Sequence, residues 1–225
     1  MVCPSVKIEV VRVIDLVAEG PLNYHDVDAR QRALHEQVAT GSHEGTVILT
    51  EMRSVYTAGR RTAPWDRINP DLDVVDVDRG GRITWHGPGQ IVAYPIIRLV
   101  TPLDVVAYVR ALEGAVIATL AEFDITAGRI ASRSGVWLFE PDRKICAIGV
   151  RVARGATLHG IALNVANSLD PYGEIVPCGI SDAGVTTMVR EGADVSLSDV
   201  APRLATHLID SLVQLTAETH QKEVG

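Results

Sequence analysis

Three apolar runs between residues 135 and 165 constrain this chain more than anything else in it. Residues 135–138, 144–152 and 158–165 each read as a strand, and only about five residues separate one run from the next. A parallel neighbour would need a crossover of a dozen or more residues, usually a helix, so these strands must turn back on themselves and pair antiparallel. That excludes the regular strand-helix alternation of a doubly wound parallel sheet. Upstream, residues 7–16 alternate apolar and polar as a strand does, 23–39 carry Val27, Leu34 and Val38 at helical spacing with Gly41 as a stop, and 46–49 are a short β-branched run. Residues 53–73 read as a long loop rich in Arg, Pro and Asp, 74–77 as a strand, and 91–99 as another. Thr101, Pro102 and Asp104 signal a helix start with Thr101 as cap, and Val105, Val109, Leu112, Val116 and Leu120 form its buried stripe. Leu204, Leu208, Leu212 and Leu215 mark a last helix to about Ala217, its start blurred by Pro202 and its polar tail frayed from about residue 218. The expected fold is α+β with a mainly antiparallel sheet flanked by helices.

No repeat or linker divides the 225 residues, so residues 1–225 are expected to form a single domain, long enough to bury roughly 70% of its unfolded surface without a disulfide or metal staple. Cys3, Cys146 and Cys178 are odd in number and form no CxxC, which fits thiols in a reducing compartment. No secretion signal is evident, and the most apolar stretch, 91–109, is interrupted by Arg98 and Asp104 and cannot span a bilayer. These features point to the cytoplasm and away from a membrane. A net charge of −7 argues against a dedicated nucleic-acid binder, although arginines cluster at Arg60, Arg61 and Arg67, at Arg79 and Arg82, and around Arg143, Lys144, Arg151 and Arg154.

Two segments concentrate chemistry. In DRGGRITWHGPGQ, residues 78–90, Gly80, Gly81, Gly87 and Gly89 permit positive φ and close approach of a ligand, beside the polar side chains of Arg79, Thr84, His86 and Gln90. It matches neither GxGxxG nor GxxxxGK[ST], so no nucleotide site is implied. In IVPCGISDAGVTT, residues 175–187, Cys178 is a candidate nucleophile: Ser181 and Asp182 can cap a short helix after it, and Gly179 leaves room for a carbonyl. Cys146, in ICAIGV, reads as strand core. A zinc site of Cys146, His159 and Cys178 lacks any close ligand spacing, so no metal is expected. The partner that activates Cys178 is either His86 as a base or Lys144 as a cation, and spacing does not choose between them.

The blocks RGGRITWHGPGQ, RKICAIGVR, HGIALNV and IVPCGISDAGVT, in that order, resemble the signature blocks of the lipoyl(octanoyl) transferases, and the resemblance runs from about Tyr56 to Thr187. It implies the fold of biotin and lipoate ligases, of the class II synthetase-like type. It also implies a two-step acyl transfer without a cofactor, from octanoyl-acyl carrier protein to a cysteine, then to a lysine on lipoyl domains of 2-oxoacid dehydrogenase E2 subunits or glycine cleavage H protein. By position, Cys178 is the nucleophile and Lys144 the residue that favours its thiolate and relays protons, which leaves His86 to position substrate. Arg79, Gly80, Gly81, Arg82, Ile83, Thr84, Trp85 and His86, with Ala147, Ile148 and Gly149 and with Gly160, Ile161 and Ala162, match positions that line the acyl chain. Gly149, Gly160 and Ala162, being small, are expected to leave room for that chain. The arginine clusters would offer acidic partner proteins a local positive surface. One departure stands out: where the family carries His and Pro before its Tyr-Thr block, this chain has Met52 and Ser54 in Glu51-Met52-Arg53-Ser54. Two other readings compete, an ATP-dependent lipoate or biotin ligase, which needs no nucleophilic cysteine, and a non-catalytic module that holds an acylated carrier.

Overall fold

The structure is a computed structural model that describes residues 11–176 and 183–216. In chain order it contains β1 (Arg12–Asp15), α1 (Tyr24–Thr40), β2 (Thr46–Thr50), β3 (Val55–Ala58), β4 (Val74–Asp76), β5 (Thr84–His86) and β6 (Gln90–Ile96). There follow α2 (Val105–Ala121), β7 (Gly128–Ile130), β8 (Arg133–Leu138), β9 (Arg143–Ala153), β10 (Ala156–Asn164), β11 (Gly184–Val185) and α3 (Leu197–Leu212). The main sheet runs β1-β2-β6-β10-β9-β8-β7, with β11 laid parallel against β9, and β4-β3-β5 make a smaller second sheet. All contacts along the main order are antiparallel except β1 with β2.

The β9–β10 hairpin is the axis of the sheet, paired from Ala153 with Ala156 down to Cys146 with Leu163. Its two-residue loop is Arg154 and Gly155, with φ of +51° and +78°, the doubly left-handed pair whose twist matches that of the flanking strands. Alternation along β6 then builds two cores at once. Ile91 and Ala93 face Leu112, Val116 and Leu120 of α2 and Leu204, Leu208 and Leu212 of α3, whereas Val92 and Tyr94 face Tyr24, Val27 and Val38 of α1. Each fully buried aliphatic side chain contributes about 1.5–3 kcal/mol, so this two-sided burial is what holds α1 on one face and α2 with α3 on the other.

Several expectations need correction. Residues 53–73 are not loop throughout: Val55–Ala58 form β3, which pairs with both β4 and β5, and Pro64–Asp66 make a 3-10 turn. A four-residue strand in a polar stretch leaves too little periodicity to read. The cap of α2 is Asp104, whose carboxylate accepts from Ala107 N at 2.8 Å, and not Thr101, which lies three residues earlier. Val105 is 41% exposed, so the buried stripe passes instead through Tyr108. Helix α3 starts at a reciprocal Ser196–Asp199 capping box and keeps Pro202 inside it, and Leu215 falls in a separate 3-10 turn.

One buried carboxylate ties α2 to the strands that carry the site. Glu113 is fully buried, accepts from Arg110 at 2.6 Å and Arg129 at 3.0 Å, and takes the Gly135 N–H at 3.1 Å. Gly135 has φ +108°, and any Cβ there would strike Cys146 O at 2.5 Å, so this position admits glycine alone. Truncation separates the two capping assignments: Asp104→Ala should cost about 1 kcal/mol in urea denaturation, while Thr101→Ala should stay near neutral.

Candidate active site

A cavity of about 270 Å³ lies between the central strands, α1 and the glycine-rich segment. Its floor is the middle of the hairpin, where Ala147 pairs with Ala162 and Gly149 with Gly160. Lys144 lines it near the start of β9, and Tyr24, Tyr94 and His159 line it five or so residues further along the sheet, roughly 17 Å at strand rise. Thr57, Thr84 and His86 complete its wall, and Arg61, Arg82 and Arg133 also border it. Its volume is near the lower end for small-molecule sites, a size suited to a short, slender ligand.

The residues implied by resemblance separate into two sets. Arg79, Gly81, Arg82, Thr84 and His86 line the cavity with Lys144, Ala147–Gly149 and Gly160–Ala162. Gly80, Ile83 and Trp85 do not. Strand alternation sends Ile83 and Trp85 to the opposite side, where they pack with Tyr172 and Ile175 in a small separate core.

Arg79 and the glycines are not what they seemed in the sequence. The Arg79 guanidinium is buried and donates to Gly80 O and Arg82 O at 3.0 and 2.8 Å, and to Thr57 O and Oγ1 at 2.9 Å each. It is the centre around which its own loop is wrapped. A Cβ on Gly149 would lie 2.8 Å from Arg79 Cδ, and one on Gly160 only 2.1 Å from Ala93 O. These glycines let the loop and β6 approach the hairpin, and both also line the cavity. Of the four glycines in residues 78–90, Gly81 and Gly89 have positive φ, whereas Gly87 is required because the Trp85 ring occupies the place of its Cβ.

His86 is fully enclosed, and burial, opposed by its hydrogen bond to Gln90, lowers its pKa to about 4, so it is neutral at pH 7. Its Nδ1 lies 2.8 Å from Gln90 Oε1, which accepts, so Nδ1 carries the proton and Nε2 is left as an acceptor 3.4 Å from Thr57 Oγ1. Gln90 Nε2 donates to Asn164 Oδ1 at 2.9 Å, and Asn164 Nδ2 donates to Thr186 O at 3.0 Å.

At the far end, His159 sits at φ +58° with its ring edge-on to Tyr94. Gln31 Nε2 approaches its Nδ1 at 3.3 Å, so Nε2 bears the proton and donates to Asp78 Oδ1 at 2.7 Å. Burial lowers the His159 pKa against the pull of Asp78. Burial would raise that of Asp78, but hydrogen bonds from Arg32 and His159 outweigh it and hold the carboxyl well below the usual range. Arg151 also pairs with Asp78. The Tyr24 hydroxyl is buried with no hydrogen-bond partner among the described residues, and burial raises the pKa of both Tyr24 and Tyr94. Those three side chains are therefore uncharged, while the buried Arg79 guanidinium, which also lines the cavity, acts on all three through its charge. Tyr24 and Tyr94 escaped the sequence reading because a tyrosine in an apolar pattern looks like core; His159 entered it only as a zinc ligand.

Lys144 is buried, its Nζ 4.6 Å from the centre of the Trp137 ring, with no carboxylate paired to it among the described residues. Cys178 lies outside the described residues. The chain on either side is well tied: Val176 N donates to Asp66 O at 2.8 Å, Val185 pairs with Lys144, and Thr186 N donates to Lys144 O at 3.0 Å. Cys146 is fully buried in the larger core, and both ring nitrogens of His159 are engaged, which removes two of the three zinc ligands considered. Among the described residues no group of three His, Cys, Asp or Glu side chains is placed to hold a metal. At the altered segment, Glu51 accepts the Gly89 N–H at 2.7 Å, Met52 is fully buried beside α1, and Ser54 Oγ accepts from Trp85 Nε1 at 2.9 Å. Met52 and Ser54 thus serve packing and the Trp85 indole.

Residues 23–209 match the lipoyl protein ligase A/B catalytic domain family. The chain is 54% identical over 212 residues to an octanoyltransferase of Clavibacter sepedonicus, covering 89% of this chain and 91% of that one. It belongs to the octanoyltransferases. An octanoyltransferase of Salinispora arenicola is 53% identical over 200 residues, covering 87% of this chain and 94% of the relative. The fold is shared more widely: a putative lipoate protein ligase from T. acidophilum with bound lipoic acid superposes with a TM-score of 0.67 at 18% identity, over 90% of this chain and 86% of that one. The α+β, mainly antiparallel, ligase-like fold is therefore the fold of this octanoyltransferase family member. Among the described residues no helix is long and apolar enough to cross a membrane.

A neutral buried histidine makes stability depend on pH. The unfolded chain protonates His86 near pH 6.5 while the folded chain resists until about pH 4, so stability is full above 6.5 and falls as pH drops towards 4. The loss attributable to His86 should be about 3 kcal/mol, with His159 adding in the same direction. Chemical denaturation across that window should show the slope, and His86→Asn should remove the larger part of it.

Proposed function

We propose that this chain moves an octanoyl group from octanoyl-acyl carrier protein, through a thioester on Cys178, to the ε-amine of a lysine on lipoyl domains of 2-oxoacid dehydrogenase E2 subunits and glycine cleavage H protein. Residues 1–225 act as one catalytic domain, in the cytoplasm. The observation that carries the mechanism is Lys144: a buried ammonium without a carboxylate among the described residues, at one end of a narrow cavity, with its carbonyl bonded to the strand just beyond Cys178. A cation so placed favours the thiolate of a neighbouring cysteine.

The steps close on themselves. The Cys178 thiolate attacks the thioester carbonyl, the bond to the carrier sulfur breaks, and the departing sulfur takes a proton from Lys144 to leave as a thiol. The unprotonated acceptor amine then attacks the enzyme thioester, the bond to Cys178 breaks, and the surplus amine proton returns to Lys144. Thiolate and ammonium are restored. A thioester donor needs no ATP. The cavity walls of Ala147 and Ala162 remove the octanoyl methylenes from water at about 0.8 kcal/mol each, and the neutral side chains of Tyr24, Tyr94 and His159 set no charge of their own against the tail. Arg79, with His86 behind Gln90, supports the binding walls by holding the loop in place.

Incubation with octanoyl-carrier protein should give an intact mass increase of one octanoyl group that hydroxylamine removes and Cys178→Ser abolishes; an adduct on Cys146 would overturn the assignment. Lys144→Arg keeps the charge but cannot release a proton at neutral pH, so turnover should fall about 100-fold or more, the scale of a lost acid–base catalyst. Near-normal rates in that variant would restrict Lys144 to an electrostatic role.

A further inference from the structure

The loop of residues 59–70 is the one arginine cluster that the chemistry above does not use. It carries Arg60, Arg61 and Arg67 against a single acid, Asp66, in a chain of net charge −7. Asp66 is fully buried and already paired with Arg82 at 2.9 Å. Neither Arg60 nor Arg67 forms an ion pair among the described residues. Between them stands Trp65, 73% exposed, and directly after Arg67 comes Ile68, 60% exposed. An exposed tryptophan in a short segment with arginines that form no ion pair among the described residues is the composition of a binding anchor more than of a solvated surface.

The loop is held firmly and close to the cavity. Arg60 N and Arg61 N donate to Arg79 O and Gly81 O at 3.1 and 3.0 Å, and Ile68 N donates to Glu174 O at 3.0 Å. Arg61 borders the acyl cavity while its neighbour Arg60 borders a second, more open groove of about 600 Å³, shared with Thr62 and Arg67 and with Asp76 as an opposing charge. One short segment therefore fronts both spaces.

We propose that this loop docks the acyl donor: the groove of Arg60 and Arg67 receives the phosphodiester of the carrier's prosthetic arm, and Trp65 and Ile68 bury against the carrier protein. This rests on the reading that the donor is a carrier-borne thioester. Of the two partners, only the donor brings a long arm with an anionic group between its thioester and its protein. The acceptor lysine brings a short, unbranched side chain with no anion to place in a cationic groove beside the acyl cavity.

The test compares transfer to a lipoyl domain from octanoyl-carrier protein, octanoyl-phosphopantetheine and octanoyl-pantetheine. Trp65→Ala should raise KM for the carrier donor about tenfold, the size of one interface anchor, and leave both small donors unchanged. The Arg60→Glu, Arg67→Glu double variant should raise KM for the carrier and phosphopantetheine donors alike and leave octanoyl-pantetheine within twofold of the parent. Equal loss with octanoyl-pantetheine, no change with the carrier, or a rise confined to KM for the lipoyl domain would each overturn the proposal. Failure of the parent enzyme with all three donors would instead overturn the functional reading, and the docking surface with it.

Discussion

A single buried hydrogen-bond chain joins all four sequence blocks around the cavity. Gln90 closes the first block and donates to Asn164 of the third; Asn164 donates to the carbonyl of Thr186 in the fourth; Thr186 returns its N–H to the carbonyl of Lys144 in the second. All four residues are buried, and the Tyr172 hydroxyl closes the gap between Gln90 and Asn164 at 3.0 and 3.1 Å. In such surroundings each unmade hydrogen bond costs about 1–3 kcal/mol, so the members hold one another in a single arrangement. The register of β6, β10, β9 and β11, and with it the position of Lys144, follows from this chain as much as from apolar packing.

Around it, residues that line the cavity also serve as scaffold. Arg79 spends its donors on the carbonyls of its own loop and of Thr57, and Gly149 and Gly160 are small because backbone and the Arg79 side chain lie against them. The rest of the lining includes Ala147, Ile148, Ile161 and Ala162, the neutral Tyr24 and Tyr94, and two neutral histidines, His86 and His159. Lys144 stands at one end, the neutral side chains of Tyr24, Tyr94 and His159 at the other, and the charge of the buried Arg79 is taken up by carbonyls of its own loop and of Thr57.

The central hairpin, the helices and the strand read at 91–99, which the structure ends at Ile96, were legible because they rest on apolar pattern and on spacing too short for a crossover. Of the second sheet only β4 was legible, in the apolar run 74–77; β3 and β5 have four and three residues, too few to show a period, and exist because they pair with each other. The Asp104 cap was also misassigned, since Thr101, Pro102 and Asp104 present overlapping start signals and only the carboxylate to Ala107 N distance separates them. The cavity's far end was missed for a similar reason: Tyr24, Tyr94 and His159 come from α1, β6 and β10, and nothing local marks them as neighbours.

By itself the sequence determined the class of fold, the antiparallel heart of the sheet and, through four ordered blocks, the family and its two candidate reacting residues. Those are properties of local pattern, and local pattern survives in one dimension. Tertiary structure alone decided which glycines make room for backbone, which way Ile83 and Trp85 face, which tautomer His86 and His159 hold, and that Lys144 is buried over Trp137. Each of these depends on what approaches from a distant part of the chain, because burial, hydrogen-bond partners and close contact are set by neighbours in space.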